Sequence, residues 1–141
     1  MSIINRLFPK TAAHEIGHAL IASHVGLKVH NVELLHGGRA GVTRISGKSD
    51  VPRELQVIVA GFVAEELANG RTGLTGFNQG QYAFDLQEAT RISNADLKAI
   101  QGAIKQVSEY LTRDDIAQYS KYLVNVLEKN GKIDGALIKA P

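Results

Sequence analysis

One segment of the sequence has residue types and a spacing that suit metal chemistry, His14-Glu15-Ile16-Gly17-His18. Positions four apart on a helix differ by only about 40° around its axis, so His14 and His18 would point the same way from successive turns. Both imidazoles could then bind one metal ion. The Glu15 carboxylate, on the adjoining strip of the helix, would lie beside that ion rather than on it. The pattern therefore predicts a catalytic zinc site with Glu15 as the general base for a water molecule.

The residues around this motif predict the helix that the chemistry requires. Pro9 precedes apolar residues at helical spacing and Gly26 follows them, which indicates a helix from about Pro9 to Val25. The motif lies in the middle of this helix, whereas the same spacing in a loop would mean little. The alternative is a pair of core histidines satisfied by ordinary hydrogen bonds, with Glu15 solvated.

A catalytic zinc ion needs a third protein ligand, and the residues alone leave three positions open. His24 has metzincin spacing, but Ile21 replaces the glycine of that pattern, and an unbroken helix turns His24 roughly 80–120° away from the motif histidines. Glu65 and Glu66, on a second predicted helix, could complete a two-His-one-Glu site, although such glutamates are usually solvated charges. Asp85 lies just inside a third predicted helix, where a lone Asp can instead interact favourably with the positive end of the helix dipole.

The stretch after the first helix predicts a β-hairpin followed by a second helix. Two β-type segments, near 29–36 and 41–46, flank a glycine-rich turn. Asp50 can cap the second helix, which ends at Asn69-Gly70. The hairpin and this helix are therefore the elements expected to surround the metal motif.

The rest of the chain predicts further helices. A glycine-rich loop from Arg71 to Gln81 precedes a helix that opens near Tyr82. That helix either continues or breaks at Ser93-Asn94, and both options stay open. Thr112 and Asp115 resemble a capping box for a last long helix.

This last helix ends at Gly131, and a short turn over Asp134 to Ile138 finishes the chain. The expected fold class is mainly α (α+β), a helical domain with one small antiparallel β-hairpin. We expect residues 1–141 to form a single domain, because the length suits one compact core.

Composition narrows the function classes. Apolar residues make up 44% and charged residues 21% of the chain, which is typical of folded proteins. The net charge of +2 is small and the basic residues are scattered, so nucleic acid is not an expected partner. Cysteine is absent from the sequence, so a metal must bind His and carboxylates. The longest apolar stretch, Leu55 to Ala64, is far below the roughly 20 residues of a membrane span, and Met1 to Lys10 lacks a signal-peptide core, so we expect a cytoplasmic location.

Three ordered segments resemble the peptidase domain of FtsH-type ATP-dependent zinc proteases. They are His14 to Leu20, Ala60 to Leu67 and Asp85 to Arg91, and the hairpin stretch from Val29 to Ile45 is similar as well. The resemblance implies His14, His18 and Asp85 as zinc ligands and Glu15 as the catalytic base. The sequence departs from the family pattern at Phe84, where Asn is usual, and at Phe62-Val63, where Arg-Ala is common. These departures could alter zinc affinity or rate.

The resemblance also implies a substrate. A peptide would be held as an extra strand along the hairpin, around Gly41 to Ile45, which favours extended or unfolded peptides of broad sequence. The given chain contains neither the ATPase module nor the membrane anchors of that family, so a separate ATPase would have to feed folded substrates to it. We expect a monomer or a weak oligomer. The alternatives are a catalytically inactive binding or assembly module and a metal-dependent amidase for non-peptide substrates.

Overall fold

A computed structural model describes residues 10–70 and 83–140, with only the backbone described at 83 and 84. The expectations for Met1 to Pro9, the Arg71 to Gln81 loop, the opening at Tyr82 and the Phe84 side chain lie outside the described residues. The elements are α1 (Thr11–His24), β1 (Lys28–Leu35), β2 (Ala40–Ser46), α2 (Val51–Ala68), α3 (Ala83–Ser93), α4 (Leu97–Leu111), α5 (Asp114–Asn130) and β3 (Lys132–Asp134). The predicted fold class, mainly α with a small antiparallel sheet, is confirmed.

Helices α1 and α2 pack closely, and a glycine on α1 makes this approach possible. A Cβ atom at Gly17 would lie 2.5 Å from the Ala64 Cβ and 2.6 Å from the Ala60 carbonyl oxygen. Both distances are too short for real carbon contacts, so only glycine fits between the two helices. The predicted spans of α1 and α2 agree with the structure to within about two residues.

The core forms where these two helices meet α4, α5 and the sheet. Its fully buried large side chains come from all of these elements and are Ile16, Leu20, Ile21, Leu55, Phe62, Ile100, Ile104, Ile116, Leu123, Leu127 and Ile133. Burial of this many branched apolar side chains is the main favourable term for folding. Among the described residues, no helix is long and apolar enough to cross a membrane.

The sheet has the strand order β2-β1-β3, and all of its pairs are antiparallel. The predicted hairpin is confirmed, with Val32 opposite Thr43 and with Gly37 and Gly38 at φ values of 67° and 89° in the turn. A third strand was not predicted: β3 pairs Ile133 with Val32 on the other side of β1. Three residues are too few to show an alternating pattern in sequence. Because β1 lies between β2 and β3, strand β2 lies at an edge of the sheet.

One predicted helix boundary is confirmed by its capping contact. Asp50 caps α2, because its carboxylate accepts a hydrogen bond from the Arg53 backbone N–H at 3.1 Å. The sequence left open whether the helix that carries Asp85 continues or breaks at Ser93-Asn94, and in the structure it breaks there. Asn94 and Ala95 have φ values of 56° and 63°, which end α3 before α4 begins.

The predicted capping box at the start of α5 is wrong. Arg113 is the N-cap residue, and the Thr112 hydroxyl instead donates to the Ser108 carbonyl at 2.6 Å, which closes the end of α4. Asp115 binds the Arg113 guanidinium at 2.8 Å rather than reaching back to Thr112. The predicted end of α5 is confirmed, since Gly131 has a left-handed φ of 78°. The expected final turn is a 3-10 turn over Gly135–Leu137.

Candidate metal centre

The two motif histidines converge on one point above α2. Their Nε2 atoms lie 3.1 Å apart, and the rings meet edge to face with centroids 4.8 Å apart. Gly61 on α2 provides the room, because a Cβ atom there would lie 2.4 Å from the Nε2 atoms of both His14 and His18. The helix spacing of the histidines and the missing side chain of Gly61 together create the site.

Hydrogen bonds on the far side of each ring fix which nitrogen faces the site. His14 Nδ1 lies 2.8 Å from Glu65 Oε1, and His18 Nδ1 lies 2.6 Å from the Val57 carbonyl oxygen. A carbonyl and a carboxylate can only accept, so each neutral imidazole donates from Nδ1 and keeps its lone pair on Nε2. Metal-binding histidines are oriented by such partners. The two Nε2 lone pairs therefore point into the same small space.

Asp85 on α3 completes the cluster. Its Oδ2 atom lies 3.3 Å from His14 Nε2 and 3.9 Å from His18 Nε2, and the three ligand atoms all lie within 4.8 Å of one another. Tetrahedral zinc with bonds of about 2.0–2.1 Å has ligand atoms roughly 3.3 Å apart, so the three atoms have suitable spacing. Asp85 Oδ2 is buried and, while His14 Nε2 carries a lone pair rather than a proton, no hydrogen-bond donor reaches this oxygen from the residues that the structure describes. A metal ion would satisfy this oxygen.

The acidic groups around His14 also favour a positive charge in the cluster. Burial lowers the pKa of His14, but hydrogen bonds to Asp85 and Glu65, together with the negative charges of Asp85 and Glu15, outweigh burial and raise this pKa to about 10. Burial lowers the pKa of His18, and the neighbouring positive charge of His14 lowers it further. A proton added on His14 Nε2 would face Asp85 and offset part of the negative charge of the nearby carboxylates without a metal. A divalent cation at the same point would meet the same demand and use both nitrogen lone pairs.

Glu15 lies beside the cluster rather than in it, as the motif predicts. Its side chain is almost buried, and its Oε1 accepts a hydrogen bond from the Thr43 hydroxyl of β2 at 2.7 Å. Glu15, His18, Thr43 and Asp85 line one cleft of about 230 Å³. A water molecule in this cleft would lie within reach of both the ligand cluster and the Glu15 carboxylate. The arrangement can therefore activate water beside a metal ion.

The other two candidates for the third ligand do not join the cluster. His24 is exposed and stacks on Tyr110 with ring centroids 4.0 Å apart, which agrees with the expectation that an unbroken helix turns it away from the motif histidines. The alternative that Glu65 and Glu66 are solvated charges is wrong, because their exposed fractions are only 5% and 0%. Glu65 binds the outer nitrogen of His14 and also accepts a hydrogen bond from the Lys10 backbone N–H at 3.2 Å. Glu65 therefore orients the His14 ring and is not itself part of the cluster.

Sequence reasoning missed three residues of the site, Glu65 as an orienting group, Gly61 and Thr43. One signal could have found Glu65, because it follows Gly61 by four residues and so lies on the same face of α2. No local pattern marks Thr43, whose partner Glu15 lies 28 positions earlier in the chain.

Of the two departures from the FtsH-type pattern, the structure describes the side chains of only one, Phe62-Val63. Phe62 and Val63 are buried in the hydrophobic core, where they pack with the apolar side chains of α1 and α4. The side chain of Phe84 lies outside the described residues.

Fold and site together define a metallopeptidase-like domain, with a histidine pair and a glutamate on one helix. A family model described as Peptidase M50B-like matches residues 5–80, more than half of the chain. The chain belongs to this Peptidase M50B-like family. The match includes α1, the hairpin and α2 but ends before Asp85, so the third ligand rests on geometry and resemblance. It is a different family from the FtsH-type one that the motifs resemble, and no curated protein matches the chain.

Proposed function

We propose that this protein is a zinc-dependent metallopeptidase that hydrolyses peptide bonds in extended or unfolded peptides, similar to FtsH-type peptidases. The zinc ligands would be His14, His18 and Asp85, and the general base would be Glu15. The observation that carries the proposal is the convergence of two oriented Nε2 atoms and an unsatisfied buried carboxylate oxygen beside that glutamate. A purely structural zinc site has no use for a base and usually closes its fourth position with protein.

In the proposed hydrolysis, the metal and the side chains of the protein would have different roles. Zinc, when bound, would polarise the peptide carbonyl and lower the pKa of water toward about 7. Glu15 would accept the proton that water loses as its oxygen forms a bond to the carbonyl carbon. When the C–N bond breaks, Glu15 would return this proton to the leaving amine. Glu65 and the Val57 carbonyl would hold His14 and His18 in orientation throughout.

The position of β2 supports an extended peptide as the substrate. In the described part of the chain β2 pairs only with β1, so the outer edge of β2 keeps backbone groups available. A peptide added as a strand along Gly41 to Ile45 would use these groups, and such pairing reads backbone more than side chains. Ile45, Val57 and Ile58 give the adjacent cleft apolar walls.

We further propose a cytoplasmic protein that accepts peptides directly and receives folded substrates from a separate ATPase unfoldase. The absence of cysteine from the sequence supports a reducing compartment. The cleft of about 230 Å³ is too small for a folded domain, which supports access by extended segments.

The first test is bound zinc and peptide cleavage in the wild type, Asp85→Ala and Glu15→Gln. We expect Asp85→Ala to lower zinc affinity at least about 100-fold, because a ligand matters at least as much as the groups that orient it. Glu15→Gln should keep zinc and lose at least about 100-fold in kcat, the contribution of a positioned base. The matched controls are Asp114→Ala and Glu128→Gln, which make the same changes at exposed positions of α5.

Each outcome separates the candidate functions. Full zinc occupancy in Asp85→Ala would refute the ligand assignment, and unchanged turnover by Glu15→Gln would refute the mechanism. Zinc binding with no cleavage of short peptides or an unfolded protein would favour the inactive binding module. Cleavage of short peptides alone would favour an enzyme that depends on a partner for longer substrates.

A further inference from the structure

Strand β2 contacts the proposed base at two positions on the same face. The Thr43 hydroxyl lies 2.7 Å from Glu15 Oε1 and 3.0 Å from the Glu15 carbonyl oxygen. Two residues earlier, a Cβ atom at Gly41 would lie 2.6 Å from Glu15 Cγ and 3.3 Å from Oε2. Alternate residues of a strand share a face, so Gly41 and Thr43 form one seat for the Glu15 side chain.

The seat restrains a side chain that is otherwise free to rotate. A glutamate has three side-chain torsions, and several rotamers are close in energy when nothing holds the carboxylate. The Thr43 hydroxyl has a single hydrogen, and its shorter contact is to Oε1. With Oε1 held by this donor, Oε2 keeps its lone pairs for a water molecule in the cleft. Gly41 leaves the space that the methylene groups of Glu15 occupy.

We propose that Thr43 is a positioning residue, which holds Glu15 in the orientation that proton transfer requires. The inference rests on the proposed role of Glu15 as the base and adds to it the group that aims the base. Positioned groups contribute to rate because a reacting pair must meet at close distance and correct angle. Loss of the donor would spread Glu15 over several rotamers and reduce the fraction of productive encounters, without changing the zinc ligands.

The test uses Thr43→Val, which keeps the shape and removes the hydroxyl, and Thr43→Ser, which keeps the hydroxyl. We expect Thr43→Val to lower kcat at least about tenfold while KM and zinc content stay as in the wild type. Thr43→Ser should restore kcat to within about threefold, since the donor remains. The matched control is Thr112→Val, the same change at a threonine that closes α4. Wild-type kcat in Thr43→Val, or equal losses in the Val and Ser variants, would overturn the proposal.

A second measurement does not depend on activity. Side-chain ¹³C relaxation of Glu15, in zinc-free and zinc-loaded protein, should show lower order in Thr43→Val than in the wild type and Thr43→Ser. Unchanged order in Thr43→Val would refute the positioning role whatever the kinetics show. Unchanged turnover in Glu15→Gln would instead refute the proposed function, and the relaxation data would still decide whether Thr43 holds the carboxylate.

Discussion

The two halves of the candidate metal centre are built in different ways. Helices α1 and α2 bring His14 and His18 together inside the core, with Gly17 and Gly61 allowing close contact. Helix α3 brings Asp85, and among its described side chains only Ala89 is buried. The histidine half is therefore fixed by the packing of the whole domain, whereas the position of the aspartate depends more on the site itself. A metal ion would tie the less anchored helix to the better anchored pair.

The largest effect on this comparison is expected from Gly61→Ala. The new methyl group would overlap the Nε2 atoms of both histidines, whose rings are held from behind by Glu65 and Val57. We expect zinc binding to be lost and the free energy of unfolding to fall by about 1–3 kcal/mol. Metal analysis and denaturant unfolding would measure the two effects.

Gly102→Ala is the control, because no heavy atom of the described residues that would clash lies within 4 Å of an added Cβ on this exposed face of α4. Replacing a helical glycine there should raise stability by roughly 0.5–1 kcal/mol. Normal zinc binding by Gly61→Ala would show that the histidine rings can move away from α2 and still bind the metal.

An intermediate effect is expected from Glu65→Gln. The amide keeps an acceptor for His14 Nδ1 but removes the negative charge that makes the imidazole a stronger ligand. We expect zinc affinity to fall about 10- to 100-fold, measured by competition with a chelator. Wild-type affinity would mean that Glu65 serves only to pack α2 against the start of α1.

The smallest effect, and the one that most directly compares the halves, is expected in hydrogen exchange. Zinc should raise the protection of α3 amides by at least about tenfold and change α1 amides less, because α1 is already held by the core. In Asp85→Ala the added protection of α3 should disappear. Equal gains in α1 and α3 would indicate uniform stabilisation and contradict the difference between the halves.

Local signals were enough to predict most of the fold. Helices α1 and α2 follow from apolar spacing and from end residues such as Asp50, because these depend only on nearby positions. Strand β3 was missed because its three residues gain their structure from pairing with β1. The capping box failed because Thr112 closes the preceding helix instead of opening the next one.

The site divides in the same way between local and distant contacts. The i, i+4 spacing of His14 and His18 sets their convergence once a helix forms. Glu65 lies 51 positions from the histidine that it orients, and Thr43 lies 28 positions from Glu15. Neither contact can be predicted from the local spacing of residues in the sequence. Asp85 was identified through family resemblance, because its place depends on how α3 packs against α2.

Two glycines border the reaction space from opposite sides, Gly61 beneath the histidines and Gly41 against Glu15. Each leaves out one carbon atom that the site has no room for, and neither substitution would disturb the apolar pattern that specifies the fold. We therefore expect a single methyl group at either position to abolish the proposed hydrolysis in a protein that still folds. In a survey of related sequences, these two positions would separate working enzymes from members that retain only the scaffold.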